Sequence, residues 1–267
     1  MSSASTTIPD RHADRTVIVT GSSSGIGRRI AFQFGEEGAN VVCASRSNEP
    51  KQGKHYDTVV SLPTEEKIRE ETPGEAVFIS TDISEPDETE ALVDETVNTF
   101  DGIDVLVNNA GISTVGDSQS TTTEDWRKML GVDLDGTFFC CKFAIPHLKE
   151  AAGQIVNIAS VNATEGGSGP AYAAAKAGQV NLTRDLAVEL GPHNVNVNCI
   201  SPGFVKTPIQ DYQDQESIQR SREQTLLPSL GEPEEIADVV TFLASEDASY
   251  VHGANIYVDG GWTAHRV

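Results

Sequence analysis

Short runs of consecutive apolar residues recur along the chain, among them Val17-Ile18-Val19, Val41-Val42 and Val105-Leu106-Val107. Runs this brief, bounded by polar or small residues, read as strands covered on both faces. They predict strands at 16–20, 40–44, 76–81, 105–108, 155–159, 195–201 and 255–259. Between them apolar positions recur three and four apart, which predicts helices at 25–36, 88–100, 126–148, 172–190 and 234–244. Pro233 opens the last of these, where its missing N–H costs nothing. Alternating strands and helices wind into an α/β, doubly wound and mostly parallel sheet with helices on both faces. In such a sheet ligands bind outside the carboxyl ends of the strands. Gly21, Asp82, Asn108, Ser160 and Pro202 all fall at those ends, so five elements direct their chemistry to one edge.

The residues there are specific. Thr20-Gly21-Ser22-Ser23-Ser24-Gly25-Ile26-Gly27 follows the first strand and opens the first helix. Gly21 permits the tight turn, Gly25 admits a pyrophosphate close to backbone, and Gly27 lets helix pack on strand. The free amides and positive end of that helix suit phosphate. Tyr172-Ala-Ala-Ala-Lys176 places a phenol and an ammonium one turn apart on one helix face, twelve residues after Ser160. A free phenol titrates near ~10; a neighbouring cation favours the phenolate and brings proton exchange toward neutrality, at ~1.4 kcal/mol per unit.

Taken in order, these motifs resemble the short-chain dehydrogenase/reductase family. The likeness runs from about residue 15 to 262 and adds Asn108-Asn109-Ala110-Gly111, Pro202-Gly203 with Thr207, and Val258-Asp259-Gly260-Gly261. It implies a Rossmann-type sheet of seven strands in one domain, residues 15–267, after a frayed terminus at 1–14. It also implies hydride exchange between a nicotinamide and a secondary alcohol or carbonyl. Tyr172 is then the general acid or base, Ser160 the donor to the substrate oxygen, and Lys176 the residue that tunes Tyr172 and holds the nicotinamide ribose. Gly21, Ser23, Ser24, Gly25, Ile26 and Gly27 are expected at the pyrophosphate, Asp82 and Ile83 at the adenine, and Asn109, Ala110 and Gly111 along the ribose. Val205, through its backbone, and Thr207 are expected at the carboxamide, with Pro202 and Gly203 also against the cofactor.

One position departs from the family. Where relatives commonly carry a fourth catalytic residue, Asn, this chain has Asp133. The Asn is expected to act mainly through its main-chain carbonyl, and Asp is nearly isosteric. Asp133→Asn is therefore expected to alter kcat little.

The second strand ends in Ser45-Arg46, where an NAD enzyme of this type places a carboxylate for the ribose hydroxyls. A hydroxyl and a guanidinium suit a 2′-phosphate, which favours NADP(H). NAD with Arg46 turned to solvent is the alternative. Ser113, Asn162 and the polar stretch 208–227 are expected to surround the substrate, with Ser160 and Tyr172. Polar lining favours a sugar or sugar acid, although surface exposure explains the same composition. A 3-oxoacyl-thioester reductase is the alternative, and a non-catalytic NADP(H)-sensing protein the alternative of another class. Family resemblance implies a homotetramer, with residues 259–262 and the helix at 172–190 in its contacts.

Charge adds one exclusion. Forty acidic against 19 basic residues give a net charge of −21, which argues against nucleic acid or an anionic membrane as partner. Only 8 lysines are present, and such a surface suits a halophilic, high-salt cytoplasm that screens self-repulsion. The polar first residues do not form a signal peptide, so a soluble cytoplasmic protein acting on a small molecule is expected. Cys43, Cys140, Cys141 and Cys199 read as buried hydrophobes, and no histidine or cysteine spacing suggests a metal. The stretch between Arg46 and Asp82 is long for this family. Its first part reads as a surface excursion, not a substrate lid, followed by a short helix at 64–71.

Overall fold

A computed structural model describes residues 8–56, 59–113, 116–211 and 214–265. The strands are β1 Thr16–Thr20, β2 Asn40–Ser45, β3 Ala76–Ser80, β4 Val105–Asn108, β5 Gln154–Ile158, β6 Asn196–Pro202 and β7 Asn255–Val258. Among the described residues they form one seven-stranded sheet in the order β3-β2-β1-β4-β5-β6-β7. Every neighbouring pair is parallel, in keeping with the mostly parallel sheet expected from the alternation of strands and helices. The order reverses between β1 and β4, which opens a crevice at their carboxyl ends.

The helices are α1 Gly25–Glu36, α2 Thr64–Glu71, α3 Pro86–Phe100, α4 Thr123–Leu130, α5 Gly136–Ala151, α6 Pro170–Leu190, α7 Gln215–Gln224 and α8 Pro233–Leu243. Strand alternation splits the core into two layers. Val17 and Val19 meet Ile30 and Phe34 of α1 and Ile236 and Val240 of α8 on one face. Ile18 and Leu106 meet Leu92 of α3, Leu148 of α5 and Leu186 of α6 on the other. Each such side chain, fully buried, is worth about 1.5–3 kcal/mol. Pro86 and Pro233 sit at the first turns of α3 and α8, and Glu232 with Glu235 closes a capping box on α8.

Three expectations change. The helix at 126–148 is broken into α4, a π-helical turn Gly131–Asp135, and α5. The apolar period continues through the break and conceals it; the turn draws Asp133 inward, where it is fully buried. The polar stretch after residue 208 contains α7, hidden because only Ile218 and Ser221 of that helix are buried. The terminus does not fray as far as Asp14. His12 is fully buried, and its Nε2–H donates to the Thr241 carbonyl at 3.0 Å while Nδ1 accepts from Arg15 at 3.2 Å. Arg11 pairs with Glu37 at 2.8 Å. Anchorage by polar side chains leaves no apolar signal to read.

All four cysteines are buried free thiols. Burial pushes Cys43 and Cys141 up to about 12 and Cys199 up to about 11. Among the described residues no helix is long and apolar enough to cross a membrane.

Candidate active site

The glycine turn is built by its neighbours. Thr20 Oγ1 accepts the N–H groups of Asn109 and Ala110, each at 3.0 Å, which ties the end of β1 to the end of β4. The Asn109 amide returns the bond, donating to Thr20 O at 2.9 Å. Gly21 adopts φ +69, and a Cβ there would stand 2.7 Å from Ala110 Cα. A Cβ on Gly27 would strike the Gly21 carbonyl, so helix and turn approach closely only with glycine. Ser24 precedes α1 in extended conformation without a side-chain cap, and the first turn of α1 carries no acid. The first amides of the helix therefore keep capacity for an anion.

Ser45 ends β2 and Arg46 follows it, and the Ser45 hydroxyl donates to Ser47 O at 2.8 Å. Asp82 follows β3 and accepts from the N–H and hydroxyl of Ser84 at 3.0 and 2.6 Å. Burial works to raise its pKa, but these bonds and then the charge of Arg46 outweigh it and hold the carboxyl below its ordinary value. Past β6, Gly203 donates to Val258 O at 3.0 Å, and Val205 bridges to Gly231. Thr207 is buried against Gly25.

Ser160 sits in extended backbone after β5, its Oγ accepting from Asn162 N–H at 3.2 Å. Lys176, 4% exposed, projects from α6 beneath Tyr172, with Nζ 5.6 Å from the phenol ring centre. The ammonium donates to Ile158 O at 3.1 Å and pairs with Asp133 Oδ2 at 3.3 Å. Asp133 Oδ1 accepts from Ile112 N–H at 2.8 Å. Burial alone would lower the Lys176 pKa; the Asp133 carboxylate, together with Tyr172 and Cys199, outweighs it and raises the pKa. Gln179 donates to Thr137 Oγ1 at 2.7 Å, and Thr137 donates to the Asp133 carbonyl at 3.0 Å. That buried chain fixes α6 against the π-helical turn.

One cleft of about 580 Å³ gathers these groups. Its wall holds Gly21, Ser23, Ser24, Gly25, Ile26 and Gly27 from the turn, Ser45, Arg46, Asp82 and Ile83 from the ends of β2 and β3, and Asn109, Ala110 and Gly111 from β4. Pro202, Gly203, Val205 and Thr207 join from β6, and Asp133, Ser160, Tyr172 and Lys176 complete it. Ser113 and Asn162 do not line the cleft; the Asn162 backbone is engaged in the short turn after Ser160. Sequence reasoning missed Glu49, Pro50 and Lys51, which line the cleft from the long stretch after β2. That stretch is thus more than a surface excursion. Its partners lie far along the chain, so no local pattern marks it.

Uncapped amides beside a glycine turn, and a phenol, hydroxyl and ammonium in the same cleft, fit a dinucleotide with a reacting alcohol. The class is that of nicotinamide-dependent oxidoreductases. A family profile described as enoyl-(acyl carrier protein) reductase matches residues 21–263. The chain is 41% identical to meso-2,3-butanediol dehydrogenase of Serratia marcescens, over 95% of this chain and 96% of that one. It is 34% identical to 3-oxoacyl-[acyl-carrier-protein] reductase of Thermotoga maritima, over 92% and 97%. The crystal structure of a dehydrogenase/reductase from Sinorhizobium meliloti 1021 superposes with a TM-score of 0.84 at 31% identity, covering 95% of this chain and 97% of that one. The chain belongs to the short-chain dehydrogenase/reductase family, an enzyme acting on CH–OH groups with a nicotinamide cofactor.

Proposed function

We propose that the protein is an NADP(H)-dependent dehydrogenase of small hydroxylated secondary alcohols, sugars or sugar acids among them. The observation that carries the cofactor choice is Ser45-Arg46 at the end of β2, lining the cleft where a carboxylate would repel a 2′-phosphate. Bound nicotinamide supplies the hydride acceptor in oxidation and the donor in reduction. Tyr172 removes the hydroxyl proton in oxidation and returns it in reduction. Ser160 Oγ donates to the substrate oxygen as charge develops on it. Lys176 holds positive charge under the phenol and keeps the proton mobile.

The butanediol dehydrogenase likeness supports a second substrate class, short acyclic vicinal diols. The Thermotoga relative supports a 3-oxoacyl-thioester reductase, against which stands a net charge of −21 facing anionic carriers. Retention of Tyr172 and Lys176 in one cleft weighs against a purely sensing protein. Exposed Phe138 on α5, Val188 on α6 and Tyr257 on β7 support assembly, and we take the form to be a cytoplasmic homotetramer.

The test is a comparison of kcat/KM for both cofactors across aldoses, aldonates, polyols, butanediols and acetoacetyl-thioesters. NADP(H) should lead by tenfold or more with a hydroxylated substrate; parity or an NAD preference overturns the cofactor assignment. Tyr172→Phe should lose at least a thousandfold in turnover while dinucleotide affinity stays within about twofold. Retained turnover removes Tyr172 from its role.

A further inference from the structure

The stretch 47–56, after β2, runs from the wall of the cleft to the turn that follows β6. At its start the Asn48 amide donates to Glu65 Oε1 of α2 at 3.1 Å. Glu49, Pro50 and Lys51 then border the cleft, bringing one carboxylate and one cation to a wall that Arg46 and Asp82 share. Beyond them the loop reaches the turn Pro208–Gln210, which follows β6 and borders the cleft as well. Gly53 lies so close to this turn that a Cβ would stand 3.0 Å from Pro208 Cγ. Asp211 ends the turn and grips the loop by two successive amides: Oδ2 accepts from Lys54 N–H at 2.8 Å, and Oδ1 from His55 N–H at 3.2 Å. Gln215 at the start of α7 adds a contact of 3.0 Å to His55 Nδ1. The same turn backs the phosphate end, since Pro208 Cδ and Thr207 Cβ would meet a Cβ on Gly25 at 3.6 and 3.2 Å.

Two segments remote in sequence, each bordering the cleft, are thus joined by one carboxylate. Bonds between a carboxylate and backbone amides are among the stronger neutral–ionic kind. The Lys54 bond is exposed, so solvent competes for it and the joint is able to open locally. We infer that residues 47–56 form a strap over the bound dinucleotide and that Asp211 is the positioning residue that latches it, so that release of the dinucleotide requires the latch to break. This rests on the cleft holding a nicotinamide dinucleotide, as proposed above, but on neither cofactor in particular.

The experiment measures dissociation of NADPH and NADH by stopped-flow fluorescence, with a chase of oxidised cofactor, in wild type, Asp211→Ala and Asp211→Asn. The Ala variant should release the preferred dinucleotide about tenfold faster and raise its KM by a similar factor. Its single-turnover hydride-transfer rate at saturating cofactor should stay within twofold. The Asn variant keeps one acceptor oxygen and should fall between the two. A general loss of structure would lower the single-turnover rate as well as weaken binding, so an unchanged hydride-transfer rate separates latch from scaffold. In wild type, hydrogen exchange at the Lys54 and His55 amides should slow when dinucleotide binds. A dissociation rate within twofold of wild type in Asp211→Ala, or amide exchange indifferent to dinucleotide, overturns the strap alone. Failure of wild type to bind either dinucleotide overturns the proposed function together with the strap.

Discussion

At the residue scale, Asp133 changes most between sequence and structure. Read as a near-isostere of Asn, it carried an expectation of little effect. The structure buries its carboxylate against Lys176 at 3.3 Å, with Ile112 N–H as its other partner. Tyr172 and the buried Cys199 thiol are the other titratable groups that act on Lys176. A carboxylate here does two things: it keeps the ammonium charged, and it offsets the positive field that favours the phenolate. Removing it strengthens that field at Tyr172, so the sign is toward activity at lower pH. Asp133→Asn should move the rising limb of the oxidation pH profile down by about one unit, roughly a tenfold gain on that limb. Superimposable profiles would show that the carboxylate does not reach the phenol. The identity of Asp133 was plain in the chain. Its partner was not, because the π-helical turn that swings it inward leaves the helical period intact.

At the element scale, the N-terminal turn behaves as part of the fold. Burial, then the charge of Arg15, pushes the His12 pKa from 6.5 down to about 3. Both ring nitrogens are used by a neutral tautomer, with Arg15 as donor to one of them, so a proton has no place there. A group with a depressed folded-state pKa contributes fully above its unfolded value and less as pH falls toward the folded one. Stability should therefore decline between about pH 6.5 and 3. From pH 7 to 4.5 this group alone accounts for about 2–3 kcal/mol. Urea unfolding of wild type and His12→Gln at both values checks it, and the variant should show a drop smaller by that amount. Equal drops would mean the ring is solvated. Strands were legible to within a residue or two because several contain continuous apolar runs, such as Val17-Ile18-Val19 and Val105-Leu106-Val107. The turn around His12 and helix α7 were not, since polar contacts and a single buried isoleucine give no periodic signal.

At the scale of the whole molecule, the sheet edge and its site were legible together. Strand ends and motif residues coincide in the sequence, and parallel pairing brings them to one cleft. Charge is the remaining global property. With 40 acidic and 19 basic residues, self-repulsion opposes compactness at low ionic strength and fades as the Debye length shrinks. The unfolding temperature should rise by several degrees between 50 mM and molar KCl; a flat or falling response would end the halophilic reading. The joint made by Asp211 has a further consequence for anyone recombining this chain with its relatives. Its two halves are encoded far apart, one after the second strand and one after the sixth, so a crossover anywhere between them inherits only half a clasp. Chimaeras of that kind should fold on an intact sheet and yet leak coenzyme, whereas those that exchange both stretches as a set should hold it.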